Sequence, residues 1–336
     1  MNRPEHVAIL GAGVAGLVAA YLCAQRGAAV EIVERREAAG LGCSWYAGGM
    51  IAPWCEREGA DEEICLRGQE ALRFWTEEVP VATKKGSLVV APPRDAGELR
   101  RFARRTSQFE TLGPARLAEI EPDLAGRFPS ALFFAQEAHL EPRRAMAALH
   151  ERLSAMPNVR FRFGAADEPA SDGWIIDARG LAARDRLPDL RGVKGEMVVL
   201  RTGDIKLARP VRLIHPRYPV YIVPRPDGRF MVGATSIENE EAGRVTARGL
   251  LELLGAAYAL HPAFAEAEVV ETGCDLRPAF PDNLPRMVRQ GRRLHVNGLY
   301  RHGFLLSPAL AREAAEAIFA AEESHEHPRE RRAASG

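Results

Sequence analysis

The sequence predicts an α/β protein in two interleaved parts: a parallel-sheet domain, and a smaller α+β domain built on an antiparallel sheet. Three observations predict it. A strand, a helix and a second strand follow one another up to Glu34. The middle of the chain alternates short apolar runs with turn signals, and a late strand and helix read as a return to the first sheet. A chain of 336 residues is long enough for one large domain or two interleaved ones.

Each element has a local reason. His6–Leu10 (HVAIL) is a short apolar run ending at Gly11, and AGLVAAYLCAQRG reads as an amphipathic helix stopped by Gly27. Ala29–Glu34 (AVEIVE) is the next strand, so a β-α-β unit opens the chain. Leu41–Pro53 (LGCSWYAGGMIAP) has too many glycines to be regular and too many apolar residues for a solvent loop; such segments usually line something. A helix is expected over Glu62–Glu78, then the strand-like KKGSLVVA, the helical LRRFARR, the segment ALFFAQEAHLEP and the helix RRAMAALHERLSA. NVRFRFG and GWIIDARG read as short strands. GEMVVLR and PVYIVPRPDGRFMVGAT are hydrophobic strands, the latter folded at a Pro226-Asp227-Gly228 turn. A helix near Ala247–Ala259, the strand RRLHVNGL and a closing helix over Pro308–Ala321 complete the pattern. The expected domains are 1–79, 141–193 and 277–321 for the parallel-sheet part and 80–140 and 194–276 for the other, with 322–336 as a disordered tail.

Composition excludes several classes. Forty-five basic residues balance 45 acidic ones, leaving no field to attract nucleic acid or acidic lipid. The apolar stretch VAILGAGVAGLVAAYLCA is interrupted by three glycines and followed by well-patterned sequence, so it reads as structure and not as a signal peptide or membrane anchor. Five cysteines (Cys23, Cys43, Cys55, Cys65, Cys274) lack paired spacing, which suggests reduced thiols in a cytoplasmic protein, and no metal motif is present.

The strongest motif is Gly11-Ala12-Gly13-Val14-Ala15-Gly16, a G-x-G-x-x-G placed after a strand and before a helix. Its glycines permit the tight turn, the approach of backbone to a pyrophosphate and the packing of helix on strand. The helix N-terminus offers N–H groups and a positive dipole end to the phosphates. Glu34, about 20 residues on, is placed to accept hydrogen bonds from both hydroxyls of an adenosine ribose, and an acid there disfavours a 2′-phosphate. The unit alone does not separate NAD from FAD. A second feature is Leu299–Pro308 (LYRHGFLLSP), which sets Arg301 among apolar residues just before a helix. A buried guanidinium needs a counter-charge, so an anionic ligand or a glutamate partner is implied.

These segments together resemble the D-amino acid oxidase superfamily of FAD enzymes, and within it glycine oxidases of the thiamine-synthesis type. The carriers are GAGVAG with Glu34, SWYAGGMIAPWCE, PVYIVPRPDGRFMVGAT, CDLRPAFPDN and LYRHGFLLSPA, in family order over nearly the whole chain. The resemblance implies a Rossmann-like FAD-binding domain, interleaved with the smaller substrate domain, and non-covalent FAD. Gly11, Gly13, Val14, Ala15 and Gly16 would lie at the pyrophosphate, Glu34 and Arg35 at the ribose, and backbone near Ala166 at the adenine half. Cys43, Ser44, Gly48, Gly49 and Met50 would follow the flavin; Leu299, Tyr300, Arg301, His302, Gly303, Phe304 and Leu305 would wrap its ring system.

For the substrate, the resemblance makes Arg277 the carboxylate-binding residue and Tyr221 its hydroxyl partner. It places the backbone carbonyl of Arg301 near the amino group and Met50 on the pocket wall. A guanidinium fork suits a planar carboxylate. The implied reaction is oxidation of glycine, with oxygen as acceptor, for thiamine thiazole synthesis. The implied partners are a small amino acid and oxygen, with a homo-oligomer and thiazole synthase pathway proteins carried over from the type. Ser236 stands where a relative has methionine, and Trp45, Tyr46 and Trp54 add bulk, so D-amino acid and N-methyl amino acid oxidases stay open. A non-catalytic or single-turnover dinucleotide-binding protein is the reading from another class. His302 and Cys274 read as structural.

Overall fold

The computed structural model describes residues 6–169, 173–214 and 220–333. The opening β-α-β unit forms as its pattern requires. β1 (His6–Leu10) is followed by α1 (Val14–Gln25) and β2 (Ala29–Glu34), and the two strands pair in parallel with Leu10 opposite Val33. α1 differs from the amphipathic expectation, because residues 14–24 are buried on every face. It packs against the closing helix as well as the strands, which is why its polar residues wait until Gln25.

The chain divides into two units. The first comprises Met1–Trp45, Arg143–Arg191 and Arg277–Gly336; the second comprises Tyr46–Pro142 and Gly192–Leu276. Residues 46–79, expected in the first part, fall in the second. The two-residue strand Met50–Ile51 pairs with Ala138–His139, which ties this segment to its own unit.

In the first unit a six-stranded sheet runs in the order Arg286–Gln290, Arg293–Asn297, Trp174–Asp177, β1, β2, Val159–Phe163. Arg286–Gln290 pairs antiparallel and the other neighbours are parallel. The closing helix spans Gly303–Ala333. It begins before the expected Pro308, which falls in its second turn. Residues 322–333, expected as a disordered tail, continue the helix. Residues 334–336 of the expected tail lie outside the described residues.

The second unit is built on an eight-stranded sheet. Its order is Glu268–Ala279, Arg191–Arg201, Arg229–Gly233, Val220–Pro224, Val211–Leu213, Ser87–Val90, Ala131–Phe134, Glu110–Leu112. The hairpin expected at Pro226–Gly228 is present. Asp227 and Gly228 take the left-handed backbone at φ 62° and 65°, as a tight turn between twisted strands demands, and Tyr221 lies opposite Gly233. One face of the sheet buries Leu88, Val198, Val211, Ile222 and Val232 together with Leu253, Ala257 and Leu260 of the helix Ala247–Leu260.

Candidate active site

The glycine-rich loop is built by close approach. Gly11 adopts φ +96°, and a Cβ there would stand 2.7 Å from the Ala178 carbonyl oxygen. A Cβ on Gly16 would stand 1.8 Å from the Gly11 oxygen, so α1 seats on the loop only with glycine at this position. α1 starts at Gly13 without a side-chain cap and without an acidic residue in its first turn, which leaves its positive end for an anion. Ser44 Oγ accepts from the Val14 N–H at 3.3 Å, and Cys43 lies partly buried beside it.

Glu34 does more than its sequence position suggests. Its carboxylate accepts from the Ala12 N–H at 2.8 Å and from the Arg36 N–H at 3.0 Å. Each oxygen keeps a further lone pair, so ribose hydroxyls remain within its capacity. The turn carrying the exposed Ala166 lies beside it, through Ala165 N–H to Glu34 O at 3.2 Å and Gly164 N–H to Arg36 O at 3.0 Å. Arg35 is exposed.

The 299–305 segment sits in the same unit. Tyr300 turns the chain at φ +47°, its N–H donates to Pro278 O at 2.9 Å, and His302 N–H donates to Leu299 O at 2.7 Å. Leu299, His302, Phe304 and Leu305 are buried. Arg301 is exposed, which corrects the expectation of a buried guanidinium: the turn directs it outward while its neighbours fill the interior. The closing helix begins at Gly303, whose Cβ position is 3.5 Å from Val14 Cγ1, so a second helix N-terminus converges on the start of α1. Arg277 is half-buried and adjacent to the Pro278 carbonyl that receives Tyr300.

In the second unit Tyr221 packs on Gly48. A Cβ on Gly48 would meet the tyrosine ring at 2.5 Å. Gly49 is buried and its carbonyl accepts from the Leu140 N–H at 2.8 Å, while Met50 lies opposite His139. Tyr46 covers Gly273, next to the buried Cys274. In the first unit Trp45 is stacked under the Arg143 guanidinium at 4.3 Å. Trp54 joins a core cluster with Cys55, Phe102 and Phe134. None of the five cysteines forms a disulfide.

Three further groups are missed by the sequence reading. Arg225, at the end of VYIVPR, donates to Gly48 O at 2.6 Å and Leu140 O at 2.9 Å, fixing the glycine pair from the same hairpin that carries Tyr221. Glu137 is fully buried and accepts from Cys55 N–H at 2.8 Å and from the Ser87 hydroxyl; burial pushes its carboxyl up to about 8. His139, buried two residues on, is pushed down to about 4 by burial and then by the positive charges of Arg225, Lys85 and Arg209. The third group is Asp177 with Arg179. Burial favours the neutral acid, but the adjacent His295 and the hydrogen bonds from Arg179 outweigh it and hold the carboxyl well below the usual range. Only the acid and arginine of IIDARG, just past a strand, could have pointed to this pair. Among the described residues no group of His, Cys, Asp and Glu is arranged to hold a metal, and no helix is long and apolar enough to cross a membrane.

A glycine-rich turn, an uncapped helix start and an acid closing β2, on a sheet of this order, define a dinucleotide-binding α/β protein. The family model for FAD-dependent oxidoreductases (DAO) matches residues 6–317, and the chain belongs to that family. FAD is therefore its cofactor, and the loop, Glu34 and the two converging helix starts fit it. A protein of Rhizobium etli described as a thiamine biosynthesis oxidoreductase, ThiO, is 54% identical over 93% of this chain and 96% of its own length. A bifunctional protein ThiO/ThiG of Nostoc is 26% identical over 93% of this chain, which spans 52% of that protein. The crystal structure of glycine oxidase from Geobacillus kaustophilus superposes with a TM-score of 0.81 at 25% identity, covering 94% of this chain and 95% of that one.

Proposed function

We propose that the chain is a glycine oxidase of the thiamine-synthesis type. It oxidises glycine to its imine, which hydrolyses to glyoxylate and ammonia or serves thiazole formation, and oxygen is reduced to hydrogen peroxide. Its place of action is the cytoplasm. The observation in the structure that carries the substrate reading is the hydrogen bond of Tyr300 to Pro278. It joins the strand end bearing Arg277 to the turn leading into the closing helix. The relatives' names support the choice of glycine and of thiamine synthesis.

Bound FAD supplies a hydride acceptor for the substrate Cα. The residues of this chain orient the donor. Arg277 takes the carboxylate through a bidentate pair, each charge-assisted bond contributing about 1.5–3 kcal/mol. The resemblance gives Tyr221 a hydroxyl role toward the substrate, and within its own unit Gly48 leaves room for the ring. The carbonyl of Arg301 accepts from the amino group and so orients the nitrogen, whose lone pair in the neutral amine assists hydride departure. The start of α1 favours the negative charge of the pyrophosphate, and the start of the closing helix would favour negative charge on reduced flavin. No side-chain base is needed.

The test is aerobic turnover of purified holoenzyme with glycine, sarcosine and D-alanine, measuring peroxide for all three and ammonia for glycine. Glycine should give the highest kcat/KM and equal amounts of both products. A higher kcat/KM for D-alanine or sarcosine assigns the enzyme to the corresponding sister activity instead.

A further inference from the structure

Asp177 is a fully buried carboxylate at the end of the strand Trp174–Asp177, directly opposite Leu10 of β1. It thus stands one residue from the glycine-rich loop on the neighbouring strand. Burying an anion there is costly unless several donors meet it. Arg179 meets it twice, through Nε to Oδ1 at 2.9 Å and Nη2 to Oδ2 at 2.6 Å, and the Arg179 backbone N–H donates to Oδ1 at 3.2 Å. Arg293 Nη1 lies 3.3 Å and His295 Nδ1 3.4 Å from Oδ2. Arg179 also holds Asp185, with Nη2 to Oδ1 at 3.0 Å.

What this network encloses is the turn Ala178-Arg179-Gly180. Ala178 N–H donates to Leu10 O at 2.8 Å, and its carbonyl oxygen lies 2.7 Å from where a Cβ of Gly11 would be. The Arg179 Cα is 3.1 Å from the same point. On the far side Gly180, at φ +59°, presents its carbonyl to Asn297 Nδ2 at 3.0 Å and its Cα face to Pro278 Cγ. Pro278 in turn receives the Tyr300 N–H. The turn is therefore a wall shared by the phosphate loop and the strand end that carries Arg277. A wall this close cannot drift without moving Gly11, since carbonyl and Cα atoms already fill the space that a side chain would need.

We infer that Asp177 and Arg179 are positioning residues for the FAD pyrophosphate: their ion pair sets the 178–180 turn against Gly11 and so fixes the shape of the glycine-rich cradle. They act through the backbone of that turn. A planar fork matters here because it satisfies both carboxylate oxygens at once, which a lysine cannot do.

The test uses Asp177→Asn, Arg179→Lys and Arg179→Gln, each as purified full-length apoprotein prepared in parallel with wild type. FAD binding is followed by quenching of flavin fluorescence, ADP binding by calorimetry, and apoprotein stability by thermal unfolding. ADP is the informative probe, because it samples the pyrophosphate half alone and owes nothing to the substrate reading. The expected result is a loss of about tenfold or more in affinity for both FAD and ADP in Asp177→Asn and Arg179→Gln, with Arg179→Lys also impaired. Should Asp177→Asn fail to fold, the partly exposed Arg179 carries the test through its two variants. Wild-type affinity for FAD and ADP in the Arg179 variants overturns the inference, whether or not their melting temperature falls, since it would leave the network a purely structural one.

Discussion

Replacing Glu34 with glutamine tests the cofactor site most sharply, because the structure gives this side chain one duty and the proposed ribose contact would give it another. Its oxygens accept the N–H groups of Ala12 and Arg36, and in the family reading they also meet the adenosine ribose. Glutamine is nearly isosteric but carries one acceptor oxygen in place of two, so its NH2 must face a backbone N–H or rotate away. Losing one charge-assisted bond costs about 1.5–3 kcal/mol. In the apoprotein this should lower the melting temperature by roughly 4–8 °C, taking about 2 kcal/mol and 2–4 °C per kcal/mol for a unit of this size. If ribose contact is also lost, FAD affinity falls by about ten- to a hundredfold. Apoprotein melting by circular dichroism and FAD titration by fluorescence read the two duties separately. An unchanged apoprotein refutes the loop-bracing argument, and unchanged FAD affinity refutes the ribose contact.

Further outcomes are expected. Arg277→Ala should raise the KM for glycine far more than it alters FAD content, as steady-state kinetics and the flavin absorbance ratio will show; unchanged kinetics would remove Arg277 from the carboxylate site. Tyr221→Phe should weaken substrate binding by about one hydrogen bond, roughly 0.5–1.5 kcal/mol. Gly48→Ala should raise KM by displacing the same ring, with the double variant less than additive in a mutant cycle. The pH dependence of stability follows from Glu137 and His139. Folding raises the Glu137 carboxyl from 4.5 to about 8, so its stabilisation is fully present below 4.5 and is lost as pH rises through about 8. Folding lowers His139 from 6.5 to about 4, so its contribution is fully present above 6.5 and is lost as pH falls through about 4. Between pH 6.5 and 8 the glutamate alone of these two acts, and the melting temperature of Glu137→Gln relative to wild type should rise over that window. A constant difference across it contradicts the buried, protonated carboxyl.

Local pattern makes most of the first unit readable. β1, α1 and β2 have a glycine loop and a closing acid that belong to one another, and each signal spans a short range of sequence. The hairpin at Pro226–Gly228 is readable for the same reason. Distant contacts decide the rest. Nothing near Trp45 in sequence says that Tyr46 begins the second unit; that follows from Met50 pairing with His139. Pro308 reads as a helix start, yet Gly303 is where the turn at Tyr300 releases the chain. Arg301 reads as buried from its apolar neighbours, although a single residue in a turn can face the opposite way. The roles of Glu137 and Arg225 depend on partners 82 and 177 residues away, which no window of sequence contains.

The most direct test of the central claim is the visible spectrum of the purified protein, recorded without oxygen before and after glycine is added. Glycine should bleach the flavin band, D-alanine and sarcosine should bleach it more weakly, and the band should return when air is admitted. A flavin band that glycine leaves fully oxidised would contradict glycine as the substrate.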